Sequence, residues 1–85
     1  MKITVYGIKA NDRGFLMRPG VYRFRKDAEA KAVELAEEYR DEWLKKHPEE
    51  DDCIGIAEDR PGVIVVSSWL HGDLIRYRVV GIDLH

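Results

Sequence analysis

Four side chains in the C-terminal third of the sequence are of the types that a nucleophilic triad uses. They are two hydroxyls, an imidazole and a carboxylate, from Ser67, Ser68, His71 and Asp73. A triad needs each group within about 3 Å of the next. Alternation along a hairpin strand points Ser68 toward the core and leaves His71 at the turn. We therefore predict no catalytic residues here, and no enzyme.

A second group of side chains could be imagined around a metal ion. It contains an imidazole, two carboxylates and the single thiol, from His47, Asp51, Asp52 and Cys53. Zinc and calcium loops repeat their ligands in set patterns, and this spacing matches neither. The four consecutive carboxylates from Glu49 to Asp52 instead predict a solvated loop, because like charges repel in an apolar place. The seven glycines form no phosphate-binding pattern, so we expect no metal and no cofactor.

The chain length and composition indicate a single small domain over residues 1–85. A chain of 85 residues has room for one core and no second lobe, and the clefts that hold small substrates often lie between lobes. The hydrophobic content of 45% and the charged content of 35% are typical of a folded globule. One cysteine excludes an internal disulfide, and we find neither a signal peptide nor a membrane span. The expected location is the cytoplasm.

Hydrophobic periodicity predicts a hairpin followed by a helix in the first half of the chain. Alternation predicts strands at 2–9 and 21–25, joined by a long loop. An apolar stripe of period 3.6 predicts a helix from about Ala28 to Lys46, with Asp27 as its N-cap and Pro48 as its stop. This helix is the longest element that the pattern predicts.

Three further strands are predicted in the second half of the chain. A short one covers 54–57, a β-branched run at 63–70 is typical of a central strand, and the last returns over 74–84 after a Gly72-Asp73 turn. The order along the chain is β-β-α-β-β-β. The predicted fold class is α+β: an antiparallel sheet of four to five strands with one long helix packed on one face.

The predicted turn divides the side chains of the sheet between two faces. One face carries Val66, Ile75 and Tyr77 and should be buried under the helix. The other is aromatic and basic, and comprises Tyr6, Arg23, Arg25, Trp69, Arg76 and Arg78. It is either an ordinary solvated face, a platform on which bases stack, or an anchor for a protein. The net charge of −2 disfavours nucleic acid as the partner.

The first loop carries an unusual run of three apolar side chains. Phe15, Leu16 and Met17 lie between Arg13 and Arg18, where loops are normally polar. Either they fold back over one end of the core, or they stand out as an adaptable contact for a partner. A domain this small offers little core to three loop residues, so residues 15–18 are candidates for partner binding.

The charges are unevenly distributed along the chain. Residues 26–59 contain 13 acidic and 5 basic side chains, whereas the remainder contains 9 basic and 3 acidic ones. The predicted helix displays carboxylates outward, including Glu34, Glu37, Glu38 and Asp41. They would steer the domain toward a basic surface or occupy a site meant for nucleic acid. The alternative is a solvated helix face with local ion pairs.

These patterns favour a small non-catalytic module that binds and modulates or inhibits a larger protein partner. A small domain with one acidic helix and no catalytic apparatus resembles, in type, the inhibitors that phages and mobile elements encode, including anti-CRISPR proteins. That resemblance has no residue-level match. Single-stranded nucleic-acid binding on the face around Trp69 is the alternative function. The patterns indicate neither the partner nor the oligomeric state.

Overall fold

The computed structural model of the chain describes residues 3–11 and 21–84. Its elements follow the order β1 (Ile3–Ala10), α1 (Arg25–Lys46), a 3-10 turn (Pro48–Glu50), β2 (Ile54–Arg60), β3 (Val63–Ser68) and β4 (Gly72–Leu84). The four strands of the described ranges form one antiparallel sheet in the spatial order β1-β4-β3-β2. Helix α1 contacts all four strands. The predicted α+β class, with one long helix on one face of the sheet, is confirmed.

The core lies between α1 and one face of the sheet. Ala28, Ala32 and Ala36 recur every fourth residue and are fully buried, which lets the helix lie close to the strands. Ile8 of β1 and Val66 of β3 are the largest fully buried side chains opposite them. Although α1 has 22 residues, no helix in the described ranges carries an apolar stretch that could cross a lipid bilayer.

The start of α1 and the predicted second strand differ from expectation. The helix begins at Arg25 rather than near Ala28, so Asp27 lies inside its first turn instead of capping it. Residues 21–25 contribute one bridge only, in which the backbones of Tyr22 and Tyr6 exchange two hydrogen bonds of 2.7 Å. Arg25 donates to Glu29, one turn later, at 2.8 Å, and to the Pro61 carbonyl at 3.3 Å. These two contacts favour helix over strand at this position.

The turn between β3 and β4 also differs from the prediction. It covers residues 69–71, and Ser68 pairs with Gly72, so Gly72-Asp73 belongs to β4. The amide of Trp69 donates to the Cys53 carbonyl at 2.9 Å, which continues the pairing of β2 with β3 one residue past Ser68. Val66 therefore pairs with Ile75 instead of Val79. Because the shift at Val66 is four residues, Val66, Ile75 and Tyr77 stay on their predicted face, and a bulge adds one further residue of shift at Ser67.

The tight turn between β2 and β3 depends on Gly62, whose φ is +84°. A Cβ at this position would lie 2.9 Å from Nη2 of Arg25. We expect Gly62→Ala to lower the free energy of unfolding by about 1–2 kcal/mol in a urea melt, from backbone strain and this contact. Gly55→Ala is the matched control, since a Cβ there meets nothing within 4 Å. Equal stability of the two variants would show that the turn does not require the left-handed conformation.

Candidate functional site

The outward face of α1 is strongly acidic. The carboxylates of Glu34, Glu37, Glu38 and Asp41 are all exposed on the side away from the alanine stripe. The structure thus brings together the four helix residues that the sequence predicts as a partner-binding surface. We call these four residues the acidic helix face.

Ion pairs engage part of the acidic helix face. Lys31 donates to Glu34 at 3.1 Å, and this hydrogen bond raises the pKa of Lys31. Arg40 lies 3.4 Å from Asp41. Glu37 and Glu38 form no ion pair with any residue that the structure describes. Glu37 and Glu38 could therefore contact a partner without breaking an ion pair of the described residues.

The six residues of the predicted aromatic and basic face do not form one surface. Tyr6 packs against the core on the helix side of the sheet. Arg25 bonds to the Pro61 carbonyl at one end of β3, whereas Trp69 lies in the turn at the other end and is 91% exposed. Arg23 is exposed, and its guanidinium lies 5.9 Å from the centre of the Phe24 ring.

Arg76 and Arg78 alone of the six share the face of the sheet opposite α1, as alternate residues of β4. Arg76 is not free for a phosphate, because its guanidinium lies 3.3 Å from Asp73 and 4.0 Å from Asp59. Its backbone amide also donates to the side chain of Asn11 at 2.7 Å. Local carboxylates therefore compete with any nucleic acid for this arginine.

The other predicted partner-binding residues, Phe15, Leu16, Met17 and Arg18, lie outside the described residues. Both interpretations of this loop stay predictions.

The side chains with triad chemistry have separate partners. The buried Ser68 hydroxyl accepts a hydrogen bond from the Leu70 amide at 3.1 Å. His71 faces Glu50, with 3.1 Å between its Nε2 and Oε1 of the carboxylate. Asp73 pairs with Arg76. Each of these three groups is therefore positioned by a neighbour that lies outside the supposed triad.

A cluster that the sequence did not predict surrounds Glu50 at the C-terminal end of α1. Glu50 is 4% exposed, although it belongs to the acidic run that predicts a solvated loop. Nδ1 of His47 lies 3.3 Å from its Oε2, and Nε2 of His71 lies 3.1 Å from its Oε1. The Trp43 ring contacts both imidazoles, at centroid distances of 4.6 Å to His47 and 5.6 Å to His71. We call Trp43, His47, Glu50 and His71 the Glu50 cluster.

Successive backbone hydrogen bonds position the Glu50 cluster. The amide of His47 donates to the Trp43 carbonyl, and the amide of Glu50 donates to the His47 carbonyl. The Cys53 amide donates to the Glu50 carbonyl, and the Cys53 carbonyl accepts from the Trp69 amide. These bonds connect the end of α1 to the turn at 69–71, and so bring His71 beside Glu50.

One sequence feature could have indicated the compact turn in this cluster. Pro48 directly follows the helix and occupies the first position of the 3-10 turn, where its missing amide costs nothing. The proximity of His71 has no such local signal, because it depends on the contact between the Cys53 and Trp69 backbones.

Comparison of the chain with protein-family models, curated proteins and solved structures found no significant match.

Proposed function

We propose that this chain is a small non-catalytic protein-binding module that docks its acidic helix face on a basic surface of a larger partner. Binding there would modulate or inhibit that partner in the cytoplasm, in the manner of inhibitors encoded by phages and mobile elements. The observation that carries the proposal is the concentration of exposed carboxylates on the outward face of α1. Complementary charge steers association and selects partners.

The rigid helix that carries these carboxylates favours binding to a protein partner. Helix α1 packs along the sheet through its alanine stripe, so its outward side chains project from a rigid support. A rigid surface loses less conformational entropy on binding than a mobile one. Glu37 and Glu38 form no ion pair among the described residues, although Glu38 interacts electrostatically with Lys31 at longer range.

The spacing of the carboxylates suggests what kind of basic surface would fit. Four acidic side chains occur between Glu34 and Asp41, which is roughly 3.5 Å of helix axis per charge at 1.5 Å per residue. One DNA strand carries a phosphate about every 3.4 Å of its axis. A surface that binds nucleic acid would therefore meet carboxylates at a similar spacing on this helix, with Lys31 and Arg40 offsetting part of their charge.

Charge reversal on the helix tests this proposal. The partner is captured from a lysate of the native host with the wild-type chain, and its association rate is then measured with purified variants. We expect Glu37→Lys with Asp41→Lys to reduce the rate about tenfold at low salt and much less at high salt, because salt screens the attraction. Melting curves should show that this double variant is folded.

The matched control reverses two charges elsewhere in the acidic segment, residues 26–59. Asp51 and Asp52 are exposed, and changing both to lysine alters the net charge by the same amount. We expect a smaller reduction in association rate from this control. Equal rates for the two variants would show that total charge, not the acidic helix face, governs association.

Binding of a labelled single-stranded oligonucleotide at low salt tests the alternative function. We expect none, because Tyr6, Arg25 and Trp69 do not share a surface and the acidic helix face repels phosphates. Salt-sensitive binding that Trp69→Ala or Arg76→Ala weakens would favour the nucleic-acid function over the proposal above.

A further inference from the structure

The carboxylate of Glu50 is buried, and burial of an ionised carboxylate costs free energy. Burial of an ionised group is unfavourable unless positive charge, well-directed hydrogen bonds or a metal ion compensates it. Oε1 of Glu50 approaches Nε2 of His71 at 3.1 Å, yet it accepts no hydrogen bond of acceptable geometry from the described residues. The buried carboxylate is therefore incompletely satisfied by its protein neighbours.

The potential ligand atoms of His47, Glu49 and Glu50 have separations that approach those of a tetrahedral metal site. Bonds of about 2.0–2.1 Å from zinc to nitrogen or oxygen place the ligand atoms roughly 3.3 Å apart. Nδ1 of His47 lies 3.3 Å from Oε2 of Glu50 and 3.8 Å from Oε1 of Glu49. The ligand atoms of these three residues all lie within 4.8 Å of one another. His71 adds a second imidazole, 3.1 Å from the other oxygen of Glu50.

We propose that His47, Glu49 and Glu50 bind one divalent transition-metal ion of the zinc type, and that His71 positions the Glu50 carboxylate from its other oxygen. Imidazole ligands select zinc and its neighbours over magnesium and calcium, which prefer oxygen. The ion has a path to the site, because the side chains of His47 and His71 are 41% and 49% exposed. We expected no metal because the spacing of His47, Asp51, Asp52 and Cys53 matches no zinc or calcium loop. The structure instead places the ligand atoms of His47 beside those of Glu49 and Glu50.

Such an ion would connect two parts of the fold. His47 and the two glutamates follow α1, whereas His71 belongs to the turn between β3 and β4. An ion held by the first segment, through a carboxylate that the second segment positions, would bind the folded chain more tightly than the unfolded one, and would therefore stabilise it. The proposal does not depend on the acidic helix face and stands whether or not that face binds a partner.

The test uses the full chain without an affinity tag, treated with a chelator and then titrated with Zn²⁺ in a calorimeter. We expect one Zn²⁺ per chain and a higher melting temperature with Zn²⁺, but no rise with Mg²⁺. His47→Gln, Glu50→Gln and His71→Gln should each weaken Zn²⁺ binding about tenfold or more. Glu50→Gln nearly preserves the shape of the side chain, and circular dichroism should show it folded.

The controls are Asp51→Asn and Cys53→Ser, which remove other metal-binding groups of the same segment. We expect both to bind Zn²⁺ as the wild type does. No heat of Zn²⁺ binding from the folded wild type would overturn the proposal. Loss of binding in the controls with retention in His71→Gln would also overturn it, because the ion would then belong to the acidic loop alone.

Discussion

Ile8→Ala should lower the free energy of unfolding by about 3 kcal/mol, within the range for removing a large aliphatic side chain from a core. Ile8 is 1% exposed and lies in the same cluster as the alanine stripe of α1. The cavity would adjoin Val79, its partner on β4, and the stiff sheet could not collapse to fill it. For a domain of this size, we expect the melting temperature to fall by about 12 °C or more.

Ile3→Ala provides the matched control for this variant. It makes the same substitution in the same strand, but Ile3 is 57% exposed. We expect its melting temperature to stay close to that of the wild type, because little buried surface is lost. If the two isoleucines were equally sensitive, β1 would not present Ile8 to the helix in the manner described.

Trp43→Ala should lower the free energy of unfolding by about 2–3 kcal/mol, somewhat less than for a fully buried tryptophan because the residue is only partly buried. The indole packs against His47 and His71, so its removal takes away an aromatic contact with each of the two segments that form the Glu50 cluster. A urea melt followed by far-ultraviolet circular dichroism measures the loss, and the near-ultraviolet spectrum reports on the remaining aromatic packing.

Glu38→Ala is the comparison for Trp43→Ala, because Glu38 is exposed on the same helix. We expect it to change the stability very little. Small and equal effects of the two substitutions would mean that α1 is rotated about its axis relative to the sheet. The loss from Trp43→Ala should also persist in the presence of a chelator, since the packing contacts do not require a metal ion.

Local periodicity was sufficient to predict the fold class and most of the core. The helical spacing of Ala28, Ala32 and Ala36 places them on one face of α1, and the structure buries all three. Alternation along β3 and β4 likewise placed Val66 and Tyr77 on the buried face. This assignment holds although the predicted register was wrong, because side chains change face only when a strand shifts by an odd number of residues.

Tertiary contacts decided the ends of the elements. Gly72-Asp73 is a favourable turn in isolation, but the chain reverses earlier, at 69–71, where the Trp69 amide bonds to the Cys53 carbonyl and Ser68 pairs with Gly72. Arg25 begins the helix where alternation had predicted a strand, and it bonds to the carbonyl of Pro61 in a distant turn. In both cases, a partner far along the sequence outweighed the preference of the local residues.

The Glu50 cluster shows the same division between sequence and tertiary structure. The sequence by itself determined that Glu49 to Asp52 is a run of carboxylates, for which solvation is the favourable state of isolated charges. Only the tertiary structure decided that Glu50 is buried between His47 and His71. The physical reason is that the pairing of β2 with β3 brings the turn at 69–71 to the end of α1, and such long-range proximity leaves no periodic pattern in the residues themselves.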